Sequence, residues 1–129
     1  MKTSKDYMAE ANAVVPRLSC EDAIAAQANA SGVFVDVRDS AAIAVAGTIQ
    51  GAHHIPRGML EFIADRESGA HNPALSSAEA IYVVCAAGGQ AALAGKTLRD
   101  MGYENVFNIG GVGPWAQAGG PTQPAPSKS

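Results

Sequence analysis

The fold follows from the stretch AIYVVCAAGGQAALAGKTLRDM, residues 80–101. Its first five residues are apolar and rich in β-branched side chains, which is typical of a parallel strand buried on both faces. Cys85 follows directly, and a short loop containing two glycines comes next. From about Gln90 to Met101 apolar side chains recur at the spacing of one helical face, and Gly102 predicts the end of that helix. The sequence therefore predicts a strand, a tight loop and a helix, with a cysteine at the junction.

Further strands and helices are predicted on either side of this unit. Additional strands are expected at Val14–Leu18, Val33–Val37, Ala52–Ile55 and Asn105–Asn108. Additional helices are expected at residues 2–13, 20–29, 41–46 and 58–64, with a helical stub near Trp115. Residues 65–77 are polar and are predicted to form a long loop, which would act as a partial lid if it lies near the site. Because strands alternate with helices, the predicted fold class is α/β with a mainly parallel sheet.

The composition limits the possible classes of function. The chain has 129 residues, of which 47% are hydrophobic and 16% are charged, and its net charge is −3. This is the composition of one globular domain, and nucleic-acid binding, which favours a basic face, is not expected. No apolar run approaches the roughly 20 residues that span a bilayer, and the first residues lack the apolar core of a secretory signal. A cytoplasmic, reducing setting is therefore expected, in which Cys20 and Cys85 remain thiols.

Cys85 is the candidate nucleophile. Ligand sites of open α/β sheets lie at the carboxyl ends of the strands, where the predicted strand delivers this cysteine. Free N–H groups of the following loop, together with the positive end of the next helix, would favour a thiolate and hold an anionic substrate. The loop residues predicted to bind the substrate are Ala86, Ala87, Gly88, Gly89 and Gln90. The alternative is a small core cysteine at a strand end; the glycine pair argues against it, because glycines suit a backbone that curls around a ligand.

Several motifs in this order and spacing resemble those of the rhodanese family over residues 16–120. Asp36–Asp39 is similar to the family's Asp-x-Arg motif, and Gly51–Pro56 is similar to its Gly-Ala-x-x-Ile-Pro motif. The strand ending in Cys85 is followed by a Leu-x-x-Met-Gly-Tyr-x-Asn-Val pattern at Leu98–Val106 and by Gly-Gly-x-x-x-Trp at Gly110–Trp115. Each motif is weak alone, and the specificity comes from their combination.

The resemblance implies a five-stranded, mainly parallel sheet flanked by helices on both faces. It also implies a ping-pong sulfur transfer in which Cys85 attacks a donor such as thiosulfate, forms a persulfide and passes the sulfur to cyanide or a thiol, including a protein thiol. The expected partners are thus a small sulfur-containing anion and a thiophilic acceptor, with no membrane and no nucleic acid. No cofactor is implied. The expected organisation is an N-terminal helical extension over residues 1–15, a rhodanese-like domain over 16–120 and a disordered tail over 121–129.

The predicted active-site loop differs from the family in its charge. The family usually has arginine or lysine after the cysteine, whereas every residue from Ala86 to Gln90 is uncharged. Since a charge-assisted hydrogen bond contributes about 1.5–3 kcal/mol, thiosulfate is expected to be a weaker donor here. The alternative donors are a less anionic molecule or another protein. Arg38, Arg57 and Lys96 are candidates to supply a cation from outside the loop.

Asp36, Arg38 and Arg57 are predicted to support the site. Asp36 and Arg38 would orient the active-site loop, and the alternative is a buried ion pair that braces neighbouring elements, which we favour. His53 and His54 are adjacent in a predicted strand, so their side chains point to opposite faces and no metal site is expected there.

Two other functions compete with sulfur transfer. One is a binding or regulatory module that keeps the fold without efficient turnover, which the uncharged loop favours. The other is a cysteine phosphatase or arsenate reductase. Such enzymes also hold a cysteine in a loop of converging backbone N–H groups, which we call a cysteine cup. That chemistry needs an arginine six positions after the cysteine to clamp an oxyanion, and position 91 is alanine. The phosphatase hypothesis is therefore disfavoured.

Overall fold

Helices and strands alternate along the part of the chain that the structure describes, residues 1–125. The helices of this computed structural model are α1 (Ser4–Val14), α2 (Cys20–Ala28), α3 (Ser40–Ala46), α4 (Leu60–Ala64), α5 (Pro73–Ser76), α6 (Gly89–Asp100) and α7 (Val112–Gln117). The strands are β1 (Val33–Asp36), β2 (Thr48–Ile49), β3 (His53–His54), β4 (Ile81–Cys85), β5 (Val106–Gly111) and β6 (Thr122–Gln123). A 3₁₀ turn at Arg57–Met59 precedes α4. Within residues 1–125 no helix is both long enough and apolar enough to cross a membrane.

Four parallel strands form the central sheet in the order β3-β1-β4-β5. The two inner strands, β1 and β4, pair from Val33 with Ile81 to Asp36 with Val84. Parallel neighbours need long crossover connections, and the intervening helices supply them. The α/β class with a mainly parallel sheet, as predicted from the sequence, is confirmed.

The central sheet has four strands where five were predicted. The segment predicted as the first strand, Val14–Leu18, makes only a parallel bridge from Arg17 to Asn108 on the outer edge of β5. In this bridge the Leu18 N–H donates to the Asn108 carbonyl at 3.0 Å, and the Asn108 N–H donates to the Pro16 carbonyl at 2.9 Å. Since α1 and α2 take up the residues on either side and Pro16 has no N–H to donate, no longer strand forms.

A second, two-stranded sheet holds the end of the described chain. β2 and β6 are antiparallel, with Thr48 opposite Gln123 and Ile49 opposite Thr122. The prediction of a disordered tail over residues 121–129 is therefore wrong for Thr122 and Gln123. Their pairing depends on the exposed edge of β2, a backbone partner that local composition cannot reveal. Residues 126–129 of the predicted tail lie outside the described part of the chain.

The side chains of β4 alternate between two apolar cores, one on each face of the sheet. Ile81, Val83 and Cys85 face the first core, while Tyr82 and Val84 face the second. Helices α4, α5 and α6 complete the first core with Leu60, Ala64, Leu75, Ala91, Ala94 and Leu98. Helices α2 and α7 complete the second with Ala23, Val112 and Trp115. Helices thus cover both faces, as predicted, and β4 is buried along its whole length.

The segment predicted as one long loop, residues 65–77, contains the short helix α5. Asn72 caps this helix by accepting a hydrogen bond from the Ala74 N–H at 3.0 Å. Leu75 is buried and lines a surface pocket together with Ile81 and Asn105, at the amino end of β4. Cys85 lies at the opposite end of that strand, so this segment does not act as a lid over it.

Asp36 and Arg38 form a buried ion pair just beyond β1. Arg38 Nη2 lies 2.7 Å from Asp36 Oδ2, and Arg38 Nε lies 3.0 Å from Asp36 Oδ1. The Thr48 hydroxyl donates to the same carboxylate at 2.7 Å, and Arg38 Nη2 also donates to the Gly47 carbonyl at 2.7 Å. These contacts tie the end of β1 to the start of β2. The ion pair therefore acts as a brace between neighbouring elements.

The environment of Asp36 lowers its pKa. Burial alone would raise this pKa, but hydrogen bonds from Arg38 and Thr48 outweigh the burial and move it below its ordinary value. A carboxyl whose pKa is lowered by folding stabilises the fold above its unfolded-state pKa, about 3.9. That stabilisation is lost as the pH falls through the lower folded-state value.

The first prediction concerns the contact between Gly120 and Trp115. A Cβ on Gly120 would lie 2.3 Å from Cε2 of Trp115, whose side chain is fully buried. We expect Gly120→Ala to lower the free energy of unfolding by about 1–3 kcal/mol, because the buried indole has no space into which to move. Urea denaturation measures the change.

The matched control is Gly69→Ala in the segment before α5, where a Cβ would meet nothing within 4 Å beyond its chain neighbours. Here we expect no loss and a gain of up to about 1 kcal/mol, because alanine lowers the conformational entropy of the unfolded chain. Equal effects of the two substitutions would contradict the steric argument.

A second prediction concerns the buried ion pair. We expect Arg38→Gln to lower the free energy of unfolding at pH 7 by about 3–5 kcal/mol, because Asp36 keeps its charge but loses its cation. Between pH 7 and about 4 the deficit should shrink, since the unpaired carboxyl takes up a proton in the variant. Denaturation curves at several pH values measure this, with exposed Arg99→Gln as the control. A deficit that is independent of pH would show that the loss does not come from an uncompensated carboxylate.

Candidate active site

Cys85 lies at the carboxyl end of β4, at the edge of the sheet predicted to hold the site. It is 2% exposed, because its side chain faces the first core while the chain turns away toward α6. Both Cys85 and the half-buried Cys20 are free thiols. At this edge of the sheet, the Cys85 sulfur lies close to backbone N–H groups of the loop that follows it.

Two backbone N–H groups donate to the sulfur of Cys85. The Gly88 N–H lies 3.0 Å from Sγ and the Ala91 N–H lies 3.3 Å from it. Gly88 is the N-cap of the 12-residue helix α6 and has a φ of +103°, a conformation that favours glycine. The first turn of α6 therefore points two donors and the positive end of the helix dipole at the sulfur, an arrangement that stabilises negative charge there.

The loop residues predicted to bind the substrate divide into buried and exposed positions. Gly88 is buried and Gly89 is half-buried, whereas Ala86, Ala87 and Gln90 are exposed. Substrate binding by these five residues stays a prediction, and their arrangement around the sulfur is compatible with it.

Asn108 of β5 holds this loop from the neighbouring strand. Its side-chain amide Nδ2 donates to the Gly88 carbonyl at 2.9 Å, and its Oδ1 accepts from the Gly110 N–H at 2.9 Å. Asn108 is 1% exposed, so both contacts are shielded from water. Asn108 was not among the site residues predicted from the sequence. The signal was a polar side chain inside an otherwise apolar strand, which is costly unless it is hydrogen-bonded.

The glycine pair at the end of β5 allows close approach of the active-site loop. A Cβ on Gly111 would lie 2.0 Å from the Ala86 carbonyl oxygen, and Gly110 has a φ of +85°. The last strand was predicted to end at Asn108, but β5 continues through both glycines. Their role is to let the backbone of β5 lie directly against the loop that follows Cys85.

Arg17 is a second residue that sequence analysis did not select. Its guanidinium lies against the same loop: a Cβ on Gly88 would lie 2.4 Å from Nη1, and a Cβ on Gly110 would lie 3.2 Å from Nη2. The predicted strand Val14–Leu18 contained the signal, because Arg17 would lie near its carboxyl end, at the edge of the sheet where Cys85 was expected.

The three cations suggested as outside sources of charge have other partners. Arg38 contacts Asp36 and Gly47, as described above. Arg57 Nη1 lies 2.9 Å from Glu61 Oε1 and its Nη2 lies 3.0 Å from the Thr97 hydroxyl, so it ties the turn before α4 to α6. Lys96 pairs with Asp100 at 2.9 Å. Among the hydrogen bonds and ion pairs of residues 1–125, none joins these three side chains to the loop around Cys85.

Several solved structures are similar to this one. One is a protein of unknown function from Rhodopseudomonas palustris CGA009, described as a possible tyrosine phosphatase, with a TM-score of 0.90, 38% identity and coverage of 95% of this chain and 96% of that chain. Another is the polysulfide-sulfur transferase homodimer of Wolinella succinogenes, with a TM-score of 0.68, 30% identity and coverage of 93% and 86%. A human single-domain sulfurtransferase has a TM-score of 0.67, 26% identity and coverage of 80% and 96%.

The family comparison agrees with these structures. No curated protein matches the chain. The family model of the rhodanese-like domain matches residues 19–118, which is most of the chain. This range includes β4, which ends in Cys85, and its two neighbours β1 and β5. The chain belongs to the rhodanese-like domain family.

Proposed function

We propose that this protein moves a sulfane sulfur from a donor such as thiosulfate to a thiophilic acceptor through a persulfide on Cys85. Its family and its sulfurtransferase neighbours support a function in sulfur transfer. The observation that carries the proposal is the pair of backbone N–H groups, of Gly88 and Ala91, directed at Sγ of a cysteine at a strand end. That geometry favours a nucleophilic thiolate.

In the first half-reaction the Cys85 thiolate attacks the outer sulfur of thiosulfate. A bond forms between Sγ and that sulfur, the sulfur–sulfur bond of the donor breaks, and its electron pair leaves with sulfite. The enzyme keeps a persulfide with one negative charge. The N–H groups of Gly88 and Ala91 stabilise the thiolate before the attack, and they require no reorganisation because Asn108 and α6 hold them in place.

In the second half-reaction an acceptor attacks the outer sulfur of the persulfide. Cyanide leaves as thiocyanate, and a thiolate acceptor leaves as its own persulfide. The bond between the two sulfurs breaks and its electron pair returns to Cys85, which becomes a thiolate again. The exposed positions Ala86, Ala87 and Gln90 leave room at this edge for an acceptor, including a thiol carried by another protein. A reducing, cytoplasmic setting would keep the thiol available between turnovers.

The similarity to a possible tyrosine phosphatase raises an alternative use of the same cup. Phosphate transfer needs a cation that clamps three equatorial oxygens in the transition state, usually with a bidentate arginine. The loop from Ala86 to Ala91 contains no arginine, and two of its N–H groups already converge on the sulfur itself. The geometry therefore favours attack on sulfur over attack on phosphorus.

A third prediction tests the persulfide directly. Incubation with thiosulfate should add the mass of one sulfur atom to the intact protein, and cyanide should remove it, because Cys85 is the proposed carrier. Intact-mass spectrometry measures both steps. Cys85→Ser should show no adduct.

Cys20→Ser is the matched control, since it removes the other free thiol and should leave the adduct unchanged. If neither thiosulfate nor any other sulfane donor modifies the wild-type protein, the enzyme hypothesis fails and a binding or regulatory module is favoured.

A fourth prediction addresses the uncharged loop. Gln90 is exposed in the first turn of α6, so Gln90→Arg places a cation at the entrance without disturbing the core. We expect kcat/KM for thiosulfate to rise by about tenfold, in line with one partly screened charge-assisted contact. Gln90→Glu is the control of opposite sign and should lower the same rate. An unchanged or lower rate for Gln90→Arg would show that loop charge is not limiting.

A further inference from the structure

We propose that Arg17 provides the cationic binding group for the anionic end of the sulfur donor, in place of the charge that the active-site loop lacks. The inference rests on the proposed sulfur transfer and names a specificity-determining residue for it. It predicts a preference for donors that carry a negative group beyond the transferred sulfur, of which thiosulfate is the simplest.

The guanidinium of Arg17 lies beside the loop that follows Cys85. Nη1 of Arg17 lies close to Gly88, whose N–H contacts the sulfur at 3.0 Å, and Nη2 lies close to Gly110. Because the N–Cα bond of Gly88 is about 1.5 Å long, these contacts place Nη1 less than about 9 Å from Sγ of Cys85. A thiosulfate ion whose outer sulfur touches Sγ can reach across most of that distance with its sulfonate oxygens.

The backbone fixes the position of Arg17 relative to this loop. Arg17 forms the bridge to Asn108, with hydrogen bonds from the flanking residues Pro16 and Leu18. The side chain of Asn108 in turn holds the Gly88 carbonyl. Asn108 therefore positions both the Arg17 cation and the Gly88 N–H group. This reduces the entropic cost of ordering the site when the donor binds.

Two glycines leave space for the side chain of Arg17. Gly88 and Gly110 both have positive φ and both face the Arg17 guanidinium. A methyl group at either position would displace a guanidinium nitrogen, since the nearest contacts would be 2.4 and 3.2 Å. Two glycines from different elements thus form the surface on which the arginine lies.

Within residues 1–125, Arg17 has no competing anion. Arg38, Arg57 and Lys96 each pair with a carboxylate. In residues 1–125 no ion pair or side-chain hydrogen bond engages the guanidinium of Arg17, which is exposed. Its hydrogen-bond donors are therefore available to sulfonate oxygens, which a guanidinium recognises well.

The test measures donor binding without turnover. In the Cys85→Ser protein, thiosulfate should shift the backbone amide resonances of residues 86–91 in a titration followed by NMR. Adding Arg17→Gln should raise the Kd of thiosulfate by about tenfold, the loss expected for one exposed charge-assisted contact. Adding Arg17→Lys should restore part of the affinity, because it keeps the charge and loses the planar fork.

The matched control is Arg66→Gln in the same Cys85→Ser background. It removes the same charge at the amino end of β4, where Arg66 stacks on Tyr103 at 4.4 Å, and it should leave the Kd unchanged. Raising the chloride concentration should weaken binding to the Cys85→Ser protein more than to its Arg17→Gln derivative. A merely structural role of Arg17 would not change this salt dependence, and the NMR spectrum reports whether each variant is folded.

Three results would overturn the proposal: no shift of residues 86–91 with thiosulfate, an equal Kd with and without Arg17→Gln, or an equal loss in Arg66→Gln. The persulfide measurement on the wild-type protein is independent of all three. A persulfide that forms although Arg17→Gln leaves the Kd unchanged removes only the role of Arg17. Binding that depends on Arg17 without any persulfide removes the sulfur transfer and leaves an anion-binding module.

Discussion

The burial of β4 on both faces is the constraint from which the rest of the structure follows. Ile81 and Val83 pack into one core and Tyr82 and Val84 into the other, so a one-residue slip would exchange their environments. This fixes the register of β4 against β1 and β5. It also fixes where the strand ends, and Cys85 is the residue at that end. The position of the Cys85 sulfur is therefore a consequence of core packing.

The cup around the sulfur is made almost entirely of backbone. Its donors are the N–H groups of Gly88 and Ala91, and its support is the amide of Asn108. Such a cup needs close approach of two main chains, which explains why Gly111 lies against the Ala86 carbonyl. Backbone donors stabilise negative charge on any anion of suitable size. Under the proposed function, selectivity among sulfur donors would therefore come from side chains around this loop.

The charge around this cup distinguishes between sulfur transfer and phosphate transfer, the two functions that the descriptions of similar structures name. The neighbours include sulfurtransferases and a protein described as a possible tyrosine phosphatase. A phosphoryl group demands strong neutralisation of its oxygens, whereas a sulfane sulfur is transferred as a neutral atom between two thiolate-like leaving groups. A loop without its own cation suits the second chemistry better. It also makes any cation that reaches the loop from another element more important, and Arg17 is positioned to do so.

Much of the fold and the centre of the site could be predicted from local patterns. The apolar run of residues 80–84, the glycines after Cys85 and the helical spacing that follows predicted a strand, a cup and a helix, because each depends on near neighbours in the chain. The ion pair of Asp36 and Arg38 was also anticipated, since the two residues lie in one short motif.

The sequence alone did not reveal the pairing of β6 with β2 or the reduction of the predicted first strand to a single bridge. It also did not reveal that Arg17 and Asn108 meet the active-site loop. Each of these contacts joins segments that are far apart in the chain, and its stability depends on free backbone edges and on space left by glycines elsewhere. Local spacing encodes Cys85 and the helix that follows it. The surroundings of Cys85 arise only when the strands assemble and bring distant backbone groups within hydrogen-bonding distance.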